Sequence, residues 1–429
     1  MLYSCAEVGT IAAYQISGGK PLNGSLVIQG SKNAALPLIA AALLHRGITI
    51  LHRCPNIMDV RYMIEILRSI GCEIEWSQDM LRIDASEIYV DHLLETCVGK
   101  MRSSILLSGA ILGRCENLTL DYPGGCTIGE RPIDFHLNAL KYMGVHIDDQ
   151  GDRIICSRKE LVGRPIVLAY PSVGATENIM MAAVHAKGVT WIYNAAKEPE
   201  VVDLACFLRS MGVKIYGAGT DCIGIYGGCP LRDVEYTIMG DRIVAGTYLL
   251  AAAATKGNIE VKGVSVKHLQ ILLHICEEMG CQVCLTDQGI RLEARHRLFS
   301  VNDIHTHPFP GFPTDMQSQM LSVLSMARGE SVLYEHVFEN RFQTVEELVR
   351  MGADIQIKKN RAVIRGVDKL RGCTVSAKDL RGGAALVIAG LAAEGDTIVE
   401  NSIFVERGYQ DICKDLEQLG AVIKIMNGK

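Results

Sequence analysis

Six near-copies of one helix-ending phrase run through the chain: LRSIGCEI, LKYMGVHI, LRSMGVKI, CEEMGCQV, LVRMGADI and LEQLGAVI. Their glycines are Gly71, Gly144, Gly212, Gly280, Gly352 and Gly420, spaced 73, 68, 68, 72 and 68 residues apart. Each copy predicts an amphipathic helix that stops on a left-handed glycine and turns into an alternating strand. A second phrase precedes the first in nearly every unit: a small-residue apolar helix, a glycine, then a strand. It reads LIAAALLHRGITIL, IMMAAVHAKGVTWI, LLAAAATKGNIEV, LSMARGESVL and VIAGLAAEGDTIV, with a looser version around Gly113. The chain is therefore six pseudo-repeats of about 70 residues. The apolar helices predict burial on every side, and the amphipathic ones predict cover for a sheet. Six such units exceed one core, and three per domain is the natural division.

Composition narrows what such a molecule does. Forty-three basic side chains against 48 acidic leave a net charge of −5, which excludes a broad basic coat for nucleic acid. An anion site must then be a local cluster. The apolar runs Ala34–Leu44, broken by Pro37, and Tyr248–Ala254 fall short of the ~18–20 residues that cross a bilayer. The first twenty residues lack a basic start followed by an apolar stretch. No membrane association and a cytoplasmic location are expected. Fifteen cysteines, an odd number over a long chain, fit reduced thiols better than a disulfide framework.

The residues that open the apolar helices are chemically loaded: Ser31-Lys32-Asn33, Lys100-Met101-Arg102-Ser103, Ala175-Thr176-Glu177-Asn178, Asp241-Arg242, Thr314-Asp315 and Asp379-Leu380-Arg381. A helix N-terminus offers unpaired N–H groups and partial positive charge to an anion. Ordinary capping explains any one of these starts. Lys or Arg at four of six points instead to a common face carrying Lys32, Arg102 and Arg381. A second signal is the loop from Tyr122 to Asp134, where three glycines and two prolines surround Cys126 and Arg131. A thiol near arginines favours its thiolate and suits a nucleophile or proton carrier. On composition alone Cys126 reads first as one more small apolar residue.

Other patterns are weaker. Cys281 and Cys284 form a CxxC without a second pair, and His305-Thr-His307 lacks further spaced ligands, so no metal is expected. There is no Walker A pattern, and GAGTDCIG lacks the third glycine of a dinucleotide fingerprint.

Taken together, GSKNAALP, KMRSS, PGGCTIGERPIDFH, SVGATENIM, AAKEPEVVDLA, FPTDMQSQ, FENRF, DLRGGAALV and ERGY, in this order from Gly18 to Gly428, resemble the UDP-N-acetylglucosamine enolpyruvyl transferase family. The resemblance implies an α/β (α+β) fold, a two-domain inside-out α/β barrel with the active site between the domains. One domain would be residues 1–31 with 240–429, carrying Asp315, Arg381 and Arg407; the other would be 32–239, carrying Lys32 and the Cys126 loop. The implied reaction joins phosphoenolpyruvate to the 3′-hydroxyl of UDP-N-acetylglucosamine, without cofactor or metal. The resemblance implies that Lys32, Asn33, Arg131 and Arg407 hold phosphoenolpyruvate, and that Cys126 is the acid at its C3 and the thiol that an inhibitor such as fosfomycin alkylates. Asp315 would accept or orient the hydroxyl proton. The UDP-sugar would meet Asn33, Arg102, Arg131, Pro132, Ile133, Asp134, Phe135, Ser172, Val173, Asp315 and Val337, with Asp379, Arg381, Arg341 and Glu198 supporting the cleft. Cations from both halves, Lys32 and Arg131 against Arg381 and Arg407, would repel in an empty cleft. Glu130, Val405-Glu406 and about ten extra N-terminal residues depart from the family pattern. Two alternatives stand beside this reading: a 3-phosphoshikimate 1-carboxyvinyltransferase, against which the Cys126 loop speaks, and a non-catalytic paralogue that binds UDP-sugar.

Overall fold

All six phrase glycines adopt φ between 92° and 115°, where an L side chain is strained. A strand begins two residues after each one, at Glu73, His146, Lys214, Gln282, Asp354 and Val422. The computed structural model describes residues 13–90, 99, 101–124, 128–129 and 132–426.

Each unit has one inner helix: α1 (Lys32–Ala41), α2 (Leu106–Arg114), α3 (Val173–Ala183), α4 (Arg242–Ala254), α5 (Gln317–Leu324) and α6 (Leu380–Ala392). As their composition predicts, they are buried all round; α4 is buried from Arg242 to Ala253 and α6 from Leu380 to Leu391. Small residues let them approach closely. A Cβ on Gly109 of α2 would sit 2.2 Å from the Asn178 carbonyl oxygen of α3, and the Gly109 N–H donates to Asn178 Oδ1 at 2.6 Å. Buried apolar side chains form two clusters. One spans Ala34 to Ile238; the other combines Tyr14–Ile28 with Ile243–Ile423.

The units carry one sheet each. Five have four strands, built from a parallel edge strand, the strand that follows the inner helix, and an antiparallel pair, which is a hairpin in all but the sixth unit; the second unit shows three strands among the described residues. Two edge strands are exchanged between the halves. Asn23–Val27, which precedes α1, pairs in parallel with Asn258–Lys262 of the fourth unit. Val234–Thr237, which precedes α4, pairs in parallel with Ile48–His52 of the first. The chain thus passes between the halves twice, and Gly30 and Gly240 bridge where the passages meet. A Cβ on Gly30 would lie 1.8 Å from the Arg53 carbonyl oxygen. The Arg53 guanidinium donates to the carbonyls of Ile28 and Gly263, tying the first passage to the end of the strand Asn258–Lys262. The strand Ala13–Ser17 completes the sixth unit, between Asp396–Glu400 and Val422–Met426. Among the described residues, no helix is long and apolar enough to cross a membrane.

Candidate active site

Helix starts from both halves open onto one cleft of about 510 Å³. Four inner helices begin on side-chain caps: Ser31, Ser172, Asp241 and Asp379 each accept a first-turn N–H. In the second and fifth units a turn of 3₁₀ helix comes first, Arg102–Ile105 and Thr314–Met316, and delivers Arg102 and Asp315.

The cleft brings together most of the residues expected there. Lys32, Asn33, Arg102, Pro132, Phe135, Ser172, Val173 and Glu198 line it from one half, and Asp315, Val337, Arg341, Asp379, Arg381 and Arg407 from the other. Two expected residues do not. Ile133 is buried in the apolar cluster, and Asp134 is exposed as the first residue of the helix Asp134–Tyr142. The helix begins at this point, so the expected Phe135 is joined in the cleft by His136. Cys126, Glu130 and Arg131 lie outside the described residues.

The cations are arranged around carboxylates, which offset the expected repulsion; it remains legible at Lys32, whose ammonium Arg381 and Arg407 disfavour. Asp59 accepts from Lys32 Nζ at 2.6 Å and from Arg407 Nε at 2.9 Å. Asp315 accepts from Arg341 at 2.8 Å through Oδ1 and from Arg381 at 2.9 Å through Oδ2. Glu200 accepts from Arg242 at 3.0 and 3.3 Å. Two of these contacts cross between the halves, Arg407 to Asp59 and Arg242 to Glu200, and a third crossing is the Lys32 backbone N–H, which donates to Asp241 Oδ2 at 3.0 Å. A fourth joins the Phe309 N–H to Glu198 Oε1 at 3.1 Å. Sequence reasoning missed Asp59 and Glu200 as partners of these cations, since a first-turn acid reads as ordinary helix-dipole complement.

Burial disfavours charge on every group here, and neighbours decide the outcome. Burial lowers the Lys32 ammonium pKa; Asp59 opposes this, while Arg381 and Arg407 reinforce it. Burial alone would raise Asp59, but Lys32 and Arg407 reverse it and hold the carboxyl below its usual value. Burial acts likewise on Asp315, and Arg381 and Arg341 override it to hold the carboxyl far below the carboxylate range. At Glu177 burial, then Glu200 and Glu198, push the carboxyl well above its ordinary value. Arg341 Nε, Arg381 Nη1, Glu177 Oε1 and Glu198 Oε2 are buried with no hydrogen-bond partner among the described residues. The cleft thus offers two cation pairs that a ligand's anions can share. Such a site suits a substrate carrying several negative charges.

Comparison with known proteins gives this geometry a context. The family model described as EPSP synthase (3-phosphoshikimate 1-carboxyvinyltransferase) matches residues 16–416. A relative named UDP-N-acetylglucosamine 1-carboxyvinyltransferase 2, from Caldanaerobacter subterraneus subsp. tengcongensis, is 49% identical over 414 residues, covering 96% of this chain and 99% of its own. One from Mycobacterium tuberculosis, named UDP-N-acetylglucosamine 1-carboxyvinyltransferase, is 42% identical over 411 residues, covering 96% and 98%. Among solved structures, the enolpyruvyl transferase NikO from Streptomyces tendae superposes with a TM-score of 0.88 at 22% identity, covering 98% of this chain and 100% of that one. EPSP synthase from Acinetobacter baumannii gives 0.76 at 18%, covering 97% and 100%. The two structures support the inside-out α/β architecture with its six units, which the repeats and the resemblance led us to expect. By its sequence relatives, the chain belongs to the UDP-N-acetylglucosamine 1-carboxyvinyltransferases, within the EPSP synthase family of enolpyruvyl transferases.

Proposed function

We propose that this chain transfers the enolpyruvyl group of phosphoenolpyruvate to the 3′-hydroxyl of UDP-N-acetylglucosamine and releases phosphate, the first committed step of peptidoglycan synthesis, in the cytoplasm. The observation that carries the reading is the pair of carboxylates, Asp59 and Asp315, each holding two cations at the mouths of inner helices. In this reading residues 1–31 with 240–429, and 32–239, are the two domains. Phosphoenolpyruvate brings a phosphate and a carboxylate; Lys32 and Arg407, the cations that Asp59 holds, are shared with these anions, and Arg131 joins them. Preorganised positive charge stabilises the shifting negative charge without solvent rearrangement. Protonation at C3 by Cys126 makes C2 electrophilic, and the sugar oxygen forms a bond to C2. A C3 proton and phosphate then leave, restoring the double bond as an enol ether.

Asp315 accepts the hydroxyl's hydrogen bond and orients it. Held by two guanidiniums it is a weak base. Proton uptake by Asp315 therefore requires one guanidinium to turn towards substrate. Asn33, Arg102, Pro132, Phe135, Ser172, Val173 and Val337 form the UDP-sugar wall, and Asp379 caps the helix that presents Arg381. No step calls for a metal or cofactor.

The test is phosphate release from phosphoenolpyruvate. It requires UDP-N-acetylglucosamine, fails with shikimate 3-phosphate in its place, collapses in Cys126→Ala and survives in Cys126→Asp, because a carboxylic acid also delivers a proton. Tight UDP-N-acetylglucosamine binding without phosphate release would establish the non-catalytic paralogue instead. Release with shikimate 3-phosphate alone would establish the shikimate enzyme.

A further inference from the structure

One cluster of potential ligands stands outside this chemistry, on the rim of the cleft. The short strand Ile304–His305 pairs in parallel with Glu330–Tyr334, placing His305 opposite Tyr334. Residues two apart on extended chain share a face. His305 and His307 therefore stand beside Tyr334 and His336, and all three histidines are exposed. The rings form one stack: His305 lies 4.4 Å from Tyr334 at 2°, His305 lies 5.2 Å from His336, and His307 lies 5.0 Å from His336. Within it, His305 Nδ1 lies 3.0 Å from His336 Nε2, and one ring nitrogen from each histidine falls within 4.8 Å of the other two. The sequence shows only half of this, because His336 is 29 residues beyond His307 and reaches it through strand register.

The opposite face of the same pair is fixed. Glu335 is buried, and its carboxylate accepts from Thr306 Oγ1 at 2.9 Å, Thr314 Oγ1 at 2.9 Å and the N–H groups of Val337 and Phe338 at 2.8 and 3.1 Å. The backbones that carry the histidines are therefore pinned, and only side-chain torsions remain to adjust. Metal–nitrogen bonds of about 2.0–2.1 Å in a tetrahedral site separate ligand nitrogens by roughly 3.4 Å, close to the spacing already present between His305 and His336. The Asn360 side-chain amide lies 3.5 Å from His336 Nδ1. With its oxygen turned to the ring it would take the N–H that ligation through Nε2 requires.

We propose that His305, His307 and His336 bind one divalent transition-metal ion of the zinc, cobalt and nickel class, with a fourth position open to water. Imidazole-only donors favour these ions over magnesium or calcium, which take oxygen. A bound ion clamps the two strands whose inner face positions Thr314, the neighbour of Asp315, and Val337.

Zinc titrated into the full chain against a chromophoric chelator tests this, with cobalt(II) absorption in the visible as a second readout. The wild-type protein binds one equivalent more than a His305→Ala/His336→Ala double variant, and the extra cobalt gives a nitrogen-ligand visible band. Thiol sites elsewhere bind equally in both proteins and cancel in the difference. His305→Gln alone weakens the site at least tenfold, and unchanged circular dichroism in each variant shows that its fold is retained. Equal stoichiometry and affinity in wild type and double variant would overturn the proposal.

Discussion

Asp59 shows how much one buried carboxylate decides. It sits in the first turn of the helix Met58–Ser69 and contacts Lys32 of its own half and Arg407 of the other. Lys32 is pulled towards neutrality by burial and by Arg381 and Arg407, and Asp59 is what opposes them. Asp59→Asn keeps the shape and removes the charge. The Lys32 pKa then falls further, and protonated Lys32 is the form that binds an anion. We expect kcat/KM for phosphoenolpyruvate to fall about 10- to 100-fold, corresponding to about 1.4–2.8 kcal/mol, and its alkaline limb to move to lower pH. The pH–rate profile is the measurement, and an unmoved limb would remove Asp59 from control of Lys32. Nothing around Asp59 in the sequence marks this role, since both partners lie far from it along the chain.

Among the elements, helix ends were the most legible because their cause is local. A glycine with left-handed backbone sets each one, and the six strands that follow start in step. Gly352 isolates the effect: its φ is 98°, and a Cβ there would have nothing within 4 Å. Gly352→Ala therefore costs only backbone strain, about 1–2 kcal/mol. Urea denaturation should show that loss as a lower midpoint at unchanged slope; an unchanged midpoint would contradict the left-handed cap. The exchanged strands Asn23–Val27 and Val234–Thr237 were not legible. Their parallel partners are chosen by packing between distant units, and short alternating segments look alike wherever they pair.

At the scale of the molecule, the inner helices were legible from composition and their shared face from the charges at their starts. Lys32, Arg102, Asp315, Arg381 and Arg407 do line one cleft. The carboxylates between them were not legible as counter-charges, so the sequence showed the repulsion among the cations and not the cross-ties Asp59–Arg407 and Glu200–Arg242 that offset it. Those ties hold cations of both halves in place across the cleft, and in the proposed reaction substrate anions share them. The proposed reaction adds the sugar oxygen at C2 after protonation at C3, with groups from both halves acting on one substrate pair. The direct measurement is the reaction run in D2O with both substrates, reading deuterium in the vinyl group of the product by NMR. Protonation at C3 creates a transient methyl group, so vinyl deuterium is expected, and only with UDP-N-acetylglucosamine present. A product formed with no deuterium at that carbon, or phosphate released without the acceptor, would contradict it.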